Sequence, residues 1–247
     1  MNVKQYLDST YLKTASQAGL SEAENTIVVK NAIDEAIQEG FKLIMIRPEY
    51  VSLAKKMIIE ANSVLLVGTV IDFPEGKSSL ETKIKEANEA ISDGADDLDF
   101  VCNYEAFKSG DLDLVKKEIL IGTQIGLAND KTVKWIIEVA ALTDKEIIQL
   151  SALIKNVVVS NFKEDDFDSV FVKSSTGFYN TDNGLPNGAT VPAIIMMLEN
   201  ASPLPVKAAG GVRSFEEASE MIRLGVKRIG TSAAKAIANG EISPNQY

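Results

Sequence analysis

Short β-prone apolar runs alternate with longer amphipathic stretches along nearly all of the 247 residues, and this alternation constrains the fold more than any other feature. The runs Phe41–Ile46, Val64–Ile71, Asp97–Val101, Val133–Val139, Ser169–Ser174, Leu204–Ala208 and Val226–Gly230 predict strands, with a further one near Gln5–Ser9. Helices are expected at about 21–39, 49–61, 79–92, 111–128, 144–154, 190–200 and 215–224. Four capping-box patterns stand where helices should begin: Ser21-x-x-Glu24, Ser78-x-x-Glu81, Thr143-x-x-Glu146 and Ser214-x-x-Glu217. Gly40, Gly94 and Gly225 stand where three should end. Seven or eight βα units with no linker predict one closed (β/α)8 TIM barrel over residues 1–247, with a doubly wound open sheet as the alternative. Tyr179–Gly188 reads as a long loop, and 239–247 as a flexible tail.

Composition narrows the function. A formal charge of −10 argues against nucleic acid or an anionic membrane as the main partner. No apolar run approaches the ~18–20 residues that span a bilayer, and the N-terminus lacks a signal-peptide core. Cys102 stands alone, so no intramolecular disulfide forms, and a cytoplasmic protein is expected. The chain contains no histidine. Histidine triads and histidine metal sites are therefore excluded, and acid–base work falls to carboxylates, lysines, tyrosines or water.

Two lysines occupy equivalent places in adjacent units: Lys173 in Val170-Phe-Val-Lys-Ser-Ser-Thr-Gly177 and Lys207 in Pro205-Val-Lys-Ala-Ala-Gly-Gly211. Each stands near the end of a β-prone run, before a Gly-containing loop. A terminal strand lysine alone often reaches back to solvent, but together the two suggest a nucleophile and its activator. A desolvated lysine beside a second cation becomes a neutral amine at pH 7, the group that carbonyl chemistry through a Schiff base requires. A free lysine, with pKa about 10.4, is neutral in fewer than about one molecule in a thousand at pH 7. Lowering that pKa to near 7 takes roughly 4–5 kcal/mol.

Barrel strands direct their C-terminal residues to one face, which here collects Asp8, Asp99, Lys173, Lys207, Gly210, Gly211 and Ser232. Asp99 is either a structural hydrogen-bonder or, given two lysines, their proton carrier. Asp96 and Asp97 read as a turn and a solvated strand start. Gly210-Gly211 and Arg228-Ile-Gly-Thr-Ser232, in consecutive units, suit a backbone cup for phosphate. Lys134 reads as a structural or electrostatic cation, with Glu138 on the same face to neutralise it. Cys102 reads as a small core residue.

These segments, with Asp8-Ser-Thr-Tyr-Leu-Lys13, Gly94-Ala-Asp-Asp-Leu-Asp99 and Val133-Lys-Trp-Ile-Ile-Glu138, resemble the class I, Schiff-base deoxyribose-phosphate aldolases almost end to end. The resemblance implies a metal-independent lyase of deoxyribonucleotide catabolism with no cofactor. Such an enzyme cleaves 2-deoxy-D-ribose 5-phosphate reversibly to D-glyceraldehyde 3-phosphate and acetaldehyde. Its partners would be those small molecules and, as is common in the family, a second copy in a homodimer. Lys173 then matches the Schiff-base lysine, Lys207 the cation that lowers its pKa, and Asp99 the proton-relay aspartate. Gly210, Gly211 and Ser232 match phosphate-binding positions, with Thr176 and Gly177 near the same site, and Asp8 matches an acidic residue at the barrel mouth. Tyr247 ends the chain where some relatives carry a tyrosine that folds over the site. Three departures stand out: Ser9 replaces the usual histidine, Ala233 replaces a serine, and the loop 178–190 is longer than usual.

Overall fold

A strand buried on both faces reads as an unbroken apolar run, because helices cover its outside and other strands enclose its inside. The computed structural model, which describes residues 2–181 and 185–241, has eight strands, several of them carrying charged residues in such a buried run. They are β1 (Leu7–Tyr11), β2 (Leu43–Ile46), β3 (Leu66–Ile71), β4 (Asp97–Val101), β5 (Thr132–Ile136), β6 (Val170–Lys173), β7 (Val206–Ala209) and β8 (Arg228–Thr231). Each pairs in parallel with the next, and β8 pairs with β1. The expected (β/α)8 barrel is therefore the architecture, and the open sheet is excluded.

The α-helices among the described residues are α1 (Ala15–Ala18), α2 (Glu22–Glu39), α3 (Val51–Glu60), α4 (Leu80–Ser92), α5 (Tyr104–Ser109), α6 (Leu112–Ala128), α7 (Asp144–Asn161), α8 (Val191–Ala201), α9 (Phe215–Leu224) and α10 (Ala234–Asn239). None of them is long and apolar enough to cross a membrane. Three of the four capping boxes form as expected, at Ser21, Thr143 and Ser214. The fourth helix starts one residue late, with Ser79 as its cap, because the Ser78 N–H donates to Asp72 Oδ2 at 2.9 Å. Helix α7 outruns its expected end because Val157 and Val158 continue its buried stripe. Strand β5 stops at Ile136 rather than Val139. Glu138 turns the chain with a left-handed φ of 56°, into a 3-10 turn over Val139–Ala141.

Alternation sends odd and even strand residues to opposite sides. Outside, Ile44, Val67, Leu98, Trp135, Val172 and Ile229 join the main core under the helices. Trp135 stacks on Phe100 with ring centroids 4.9 Å apart and donates its indole N–H to Thr123 on α6 at 3.0 Å. Gly122 lets α6 approach, since a Cβ there would lie 2.8 Å from the indole ring. Cys102 packs in this core as expected. Inside the barrel, β2 and β3 contribute Leu43, Met45 and Val70, a separate apolar cluster. The remaining strands fill the lumen with charge.

Candidate active site

Lys173 is the last residue of β6 and Lys207 the second of β7, and the two strands pair with these lysines directly opposite each other. Ser174 secures that register: its hydroxyl donates to the Ala209 carbonyl at 2.8 Å and accepts from the Ala209 N–H at 2.9 Å. Both lysines point into the lumen, and both place Nζ 2.9 Å from Asp99 Oδ2.

The other charges form a closed circuit. Asp99 accepts from Lys134 at 2.8 Å, and Lys134 reaches Asp97 at 2.6 Å. Arg228 lies 3.2 Å from Asp97 and 2.6 Å from Asp8. Lys207 lies 2.6 Å from Asp8 and closes the circuit on Asp99. Three carboxylates and three cations thus alternate round the lumen, and Lys173 hangs from Asp99 as a fourth cation.

Burial would drive all these groups towards neutrality, and their partners decide which resist. For Asp99 the three surrounding lysines outweigh burial and hold the carboxyl well below the usual range. Arg228, Lys207 and Lys134 do the same for Asp8. Lys134 is pushed down by burial but raised further by Asp97 and Asp99, so its pKa lies above the ordinary lysine value. Arg228 is likewise raised by Asp8 and Asp97 against burial. Lys173 goes the other way. Burial dominates, Lys207 and Lys134 add to it, Asp99 only partly opposes, and the amine drops to about 8.

A cavity of about 510 Å³ opens beside this lumen, lined by Gly177, Gly210, Gly211, Arg213, Gly230 and Ser232 among others. Gly210 has φ 82°, and its neighbour Gly188 allows the two backbones to meet. A Cβ on Gly188 would lie 2.4 Å from the Gly210 carbonyl. The long loop that carries Gly188 is tied there by the Ala189 N–H, which donates to the Gly210 carbonyl at 2.9 Å. The Ala233 N–H is already committed to Thr231 Oγ1 at 3.0 Å, while Ser232 is exposed towards the cavity. A second cavity, of about 410 Å³, lies on the other side of the loop after β6 and is lined by Thr176, Glu138, Tyr104 and Tyr179 among others.

Comparison with known proteins decides what this arrangement belongs to. The family model described as DeoC/LacD family aldolase matches residues 5–243. The chain belongs to the DeoC/LacD family of aldolases. A deoxyribose-phosphate aldolase of Thermococcus gammatolerans is 38% identical over 241 residues, covering 97% of this chain and 96% of that protein. One from Staphylococcus saprophyticus is 38% identical over 252 residues and covers both chains fully, at 100% of each. The crystal structure of a deoxyribose-phosphate aldolase homologue from Coccidioides immitis superposes with a TM-score of 0.78 at 30% identity, covering 97% of this chain and 86% of that one.

Within this aldolase, several residues sit elsewhere than their sequence context suggests. Asp97 is no solvated strand start: it is 1% exposed and bridges Lys134 and Arg228. Asp8 lies inside the lumen rather than at its mouth, fully buried and in register with Gly230 of β8. Glu138 does not neutralise Lys134. The left-handed turn carries it past the strand end, where its carboxylate accepts from the Thr176 N–H at 3.1 Å and from the Thr176 hydroxyl. Thr176 therefore faces the second cavity, whereas Gly177 lines the first. Arg228 escaped notice as a site residue. Its signal was a charged side chain two residues before Gly230, on the inward-facing phase of an otherwise apolar strand. Gly230 itself leaves room for the lysine, since a Cβ there would lie 3.1 Å from Lys207 Cε. Tyr247 lies outside the described residues.

Proposed function

We propose that the protein is a class I deoxyribose-phosphate aldolase that cleaves 2-deoxy-D-ribose 5-phosphate reversibly to D-glyceraldehyde 3-phosphate and acetaldehyde, with Lys173 as its Schiff-base nucleophile. The observation that carries this reading is a buried amine lowered to about 8 and held against a shared carboxylate. At pH 7.5 such an amine is neutral in roughly one molecule in four, about two hundredfold more than an ordinary lysine.

The neutral amine adds to the C1 aldehyde of the open-chain sugar. Loss of water with uptake of one proton leaves a protonated imine. Removal of the C3 hydroxyl proton breaks the C2–C3 bond, and the electron pair passes through C1 to the imine nitrogen. Glyceraldehyde 3-phosphate departs and an enamine remains. Protonation at C2 and hydrolysis then release acetaldehyde and the free amine. Asp99 lies 2.9 Å from both lysine nitrogens, so one carboxylate steadies the iminium charge and links it to Lys207. Lys207, Asp99 and water form the proton route. Gly177, Gly210, Gly211 and Ser232 receive the phosphate through backbone N–H groups and one hydroxyl, beside the Arg213 guanidinium.

Acetaldehyde with borohydride is expected to leave a reduced two-carbon adduct on Lys173, located by peptide mass spectrometry. Folded protein with Lys173 unmodified after that treatment would overturn the assignment. Turnover of deoxyribose 5-phosphate compared with other phosphorylated aldoses and ketoses tests the substrate, and a better rate on any of the others would displace it.

A further inference from the structure

The circuit in the lumen has a property that no single contact reveals: it is electrically complete without Lys173. Asp99, Lys134, Asp97, Arg228, Asp8 and Lys207 alternate in sign and close on themselves. Each carboxylate already has two cations before Lys173 is counted. If any other cation in the lumen lost its proton, two buried carboxylates would each be left with one partner fewer. If Lys173 loses its proton, Asp99 still holds Lys134 and Lys207.

We propose that Arg228 and Asp97, which make no ion pair with Lys173, are positioning residues that set its charge state by keeping the circuit balanced. This rests on the assignment of Lys173 as the nucleophile, and it adds to that assignment a control exercised from β8 and the start of β4. The charged groups that face Lys173 are Asp99 on β4, Lys134 on β5, Glu138 beyond β5 and Lys207 on β7. Asp8 on β1, Asp97 on β4 and Arg228 on β8 stand behind them. Both facing lysines take their second carboxylate from this second rank: Lys134 shares Asp97 with Arg228, and Lys207 shares Asp8 with it. Arg228 thus limits how much negative charge is left over for the lysines. Asp97 limits how much positive charge they must share among themselves.

The proposal predicts shifts of opposite sign. Asp97→Asn leaves the circuit one positive charge in excess, so Lys173 should lose its proton more easily. Arg228→Met leaves it one negative charge in excess, so Lys173 should hold its proton. The readout is the rate of acetaldehyde trapping at Lys173 with cyanoborohydride as a function of pH, quantified by peptide mass spectrometry. Across the lumen, one unit charge moves the midpoint by roughly one pH unit. D97N should therefore lower the midpoint by about that much and R228M should raise it. The double variant D97N/R228M should return to the wild-type midpoint, and R228K should stay there. A merely structural role would weaken trapping in all of them without moving midpoints in opposite directions. Midpoints that stay fixed, or move the same way in both single variants, overturn the proposal. Should R228M fail to fold, D97N decides alone, because it keeps the side-chain shape and must still lower the midpoint. Wild-type protein that traps nothing at Lys173 at any pH overturns the nucleophile assignment instead.

Discussion

Lys83 and Lys173 are both lysines buried to within a few per cent of complete exclusion, yet they sit in clusters of opposite surplus. Lys83, on α4, donates to the Gly76 and Val101 carbonyls at 2.8 and 3.1 Å and to Glu118 at 2.9 Å, with Asp72 at 3.4 Å. Here one cation faces two carboxylates, and the odd group is an acid. Burial raises the pKa of Glu118, and Lys83 only partly opposes. In the lumen four cations face three carboxylates, and the odd group is an amine whose pKa falls. Depth of burial is shared, so depth alone does not make a lysine reactive. A sealed cluster shifts its surplus member towards the neutral form, and the sign of the surplus decides whether that member is an acid or an amine.

The comparison breaks most sharply at Lys83. Lys83→Met leaves Asp72 and Glu118 without their cation and frees two carbonyls that hold the loop after β3 to the end of β4. A loss of roughly 3–5 kcal/mol is expected in urea unfolding, with the pH midpoint of trapping at Lys173 unmoved. A moved midpoint would show that the two clusters are coupled.

Lys173→Met should have the opposite effect on stability. It removes the surplus charge and leaves the circuit intact, so a gain of about 1–3 kcal/mol at pH 7 is expected, with turnover abolished. The sign follows from linkage. Lys173 has a folded value of about 8, below the ordinary lysine value of 10.5. Between those values the unfolded chain binds more protons than the native one, so wild-type stability rises with pH across that window. The advantage of K173M should shrink correspondingly between pH 8 and 10.5. A constant difference across that range would mean that Lys173 is charged in the folded protein.

The smallest effect belongs to Glu118→Gln, expected to change stability by less than about 1 kcal/mol at pH 5. A raised folded pKa means that the native state holds the Glu118 proton longer than the unfolded chain. Wild-type stability therefore falls as pH rises from the ordinary glutamate value through the folded one. E118Q should gain on wild type over that interval, as read by denaturation at a series of pH values. A variant that instead loses ground with rising pH would show that Lys83 outweighs burial at Glu118.

Much of the fold was legible because it rests on local signals. Alternating runs and capping boxes are confined to a few residues, and every expected strand formed with its ends shifted by a few positions. The two lysines were legible for the same reason, since neighbouring units carry them at matching places. What the chain hides is pairing across the lumen. Asp97 finds Lys134 37 residues later and Arg228 131 residues later, and Asp8 finds Arg228 at a separation of 220. Nothing near Asp97 distinguishes a buried partner of Arg228 from a solvated strand start, because register between strands decides it. Glu138 was misplaced by a backbone event, a left-handed residue that ended the strand before alternation could apply.

The circuit joins the second residue of β1 to the first residue of β8, so it cannot close before the last strand is in place. During synthesis Lys173, Lys207 and Asp99 leave the ribosome well before Arg228 does. Until the last strand docks against the first, Asp8 and Asp97 lack their arginine and the lumen stands open to water. An unfinished chain therefore lacks the sealed circuit that surrounds the lowered Lys173 amine. Closure of the fold and assembly of the circuit are one event.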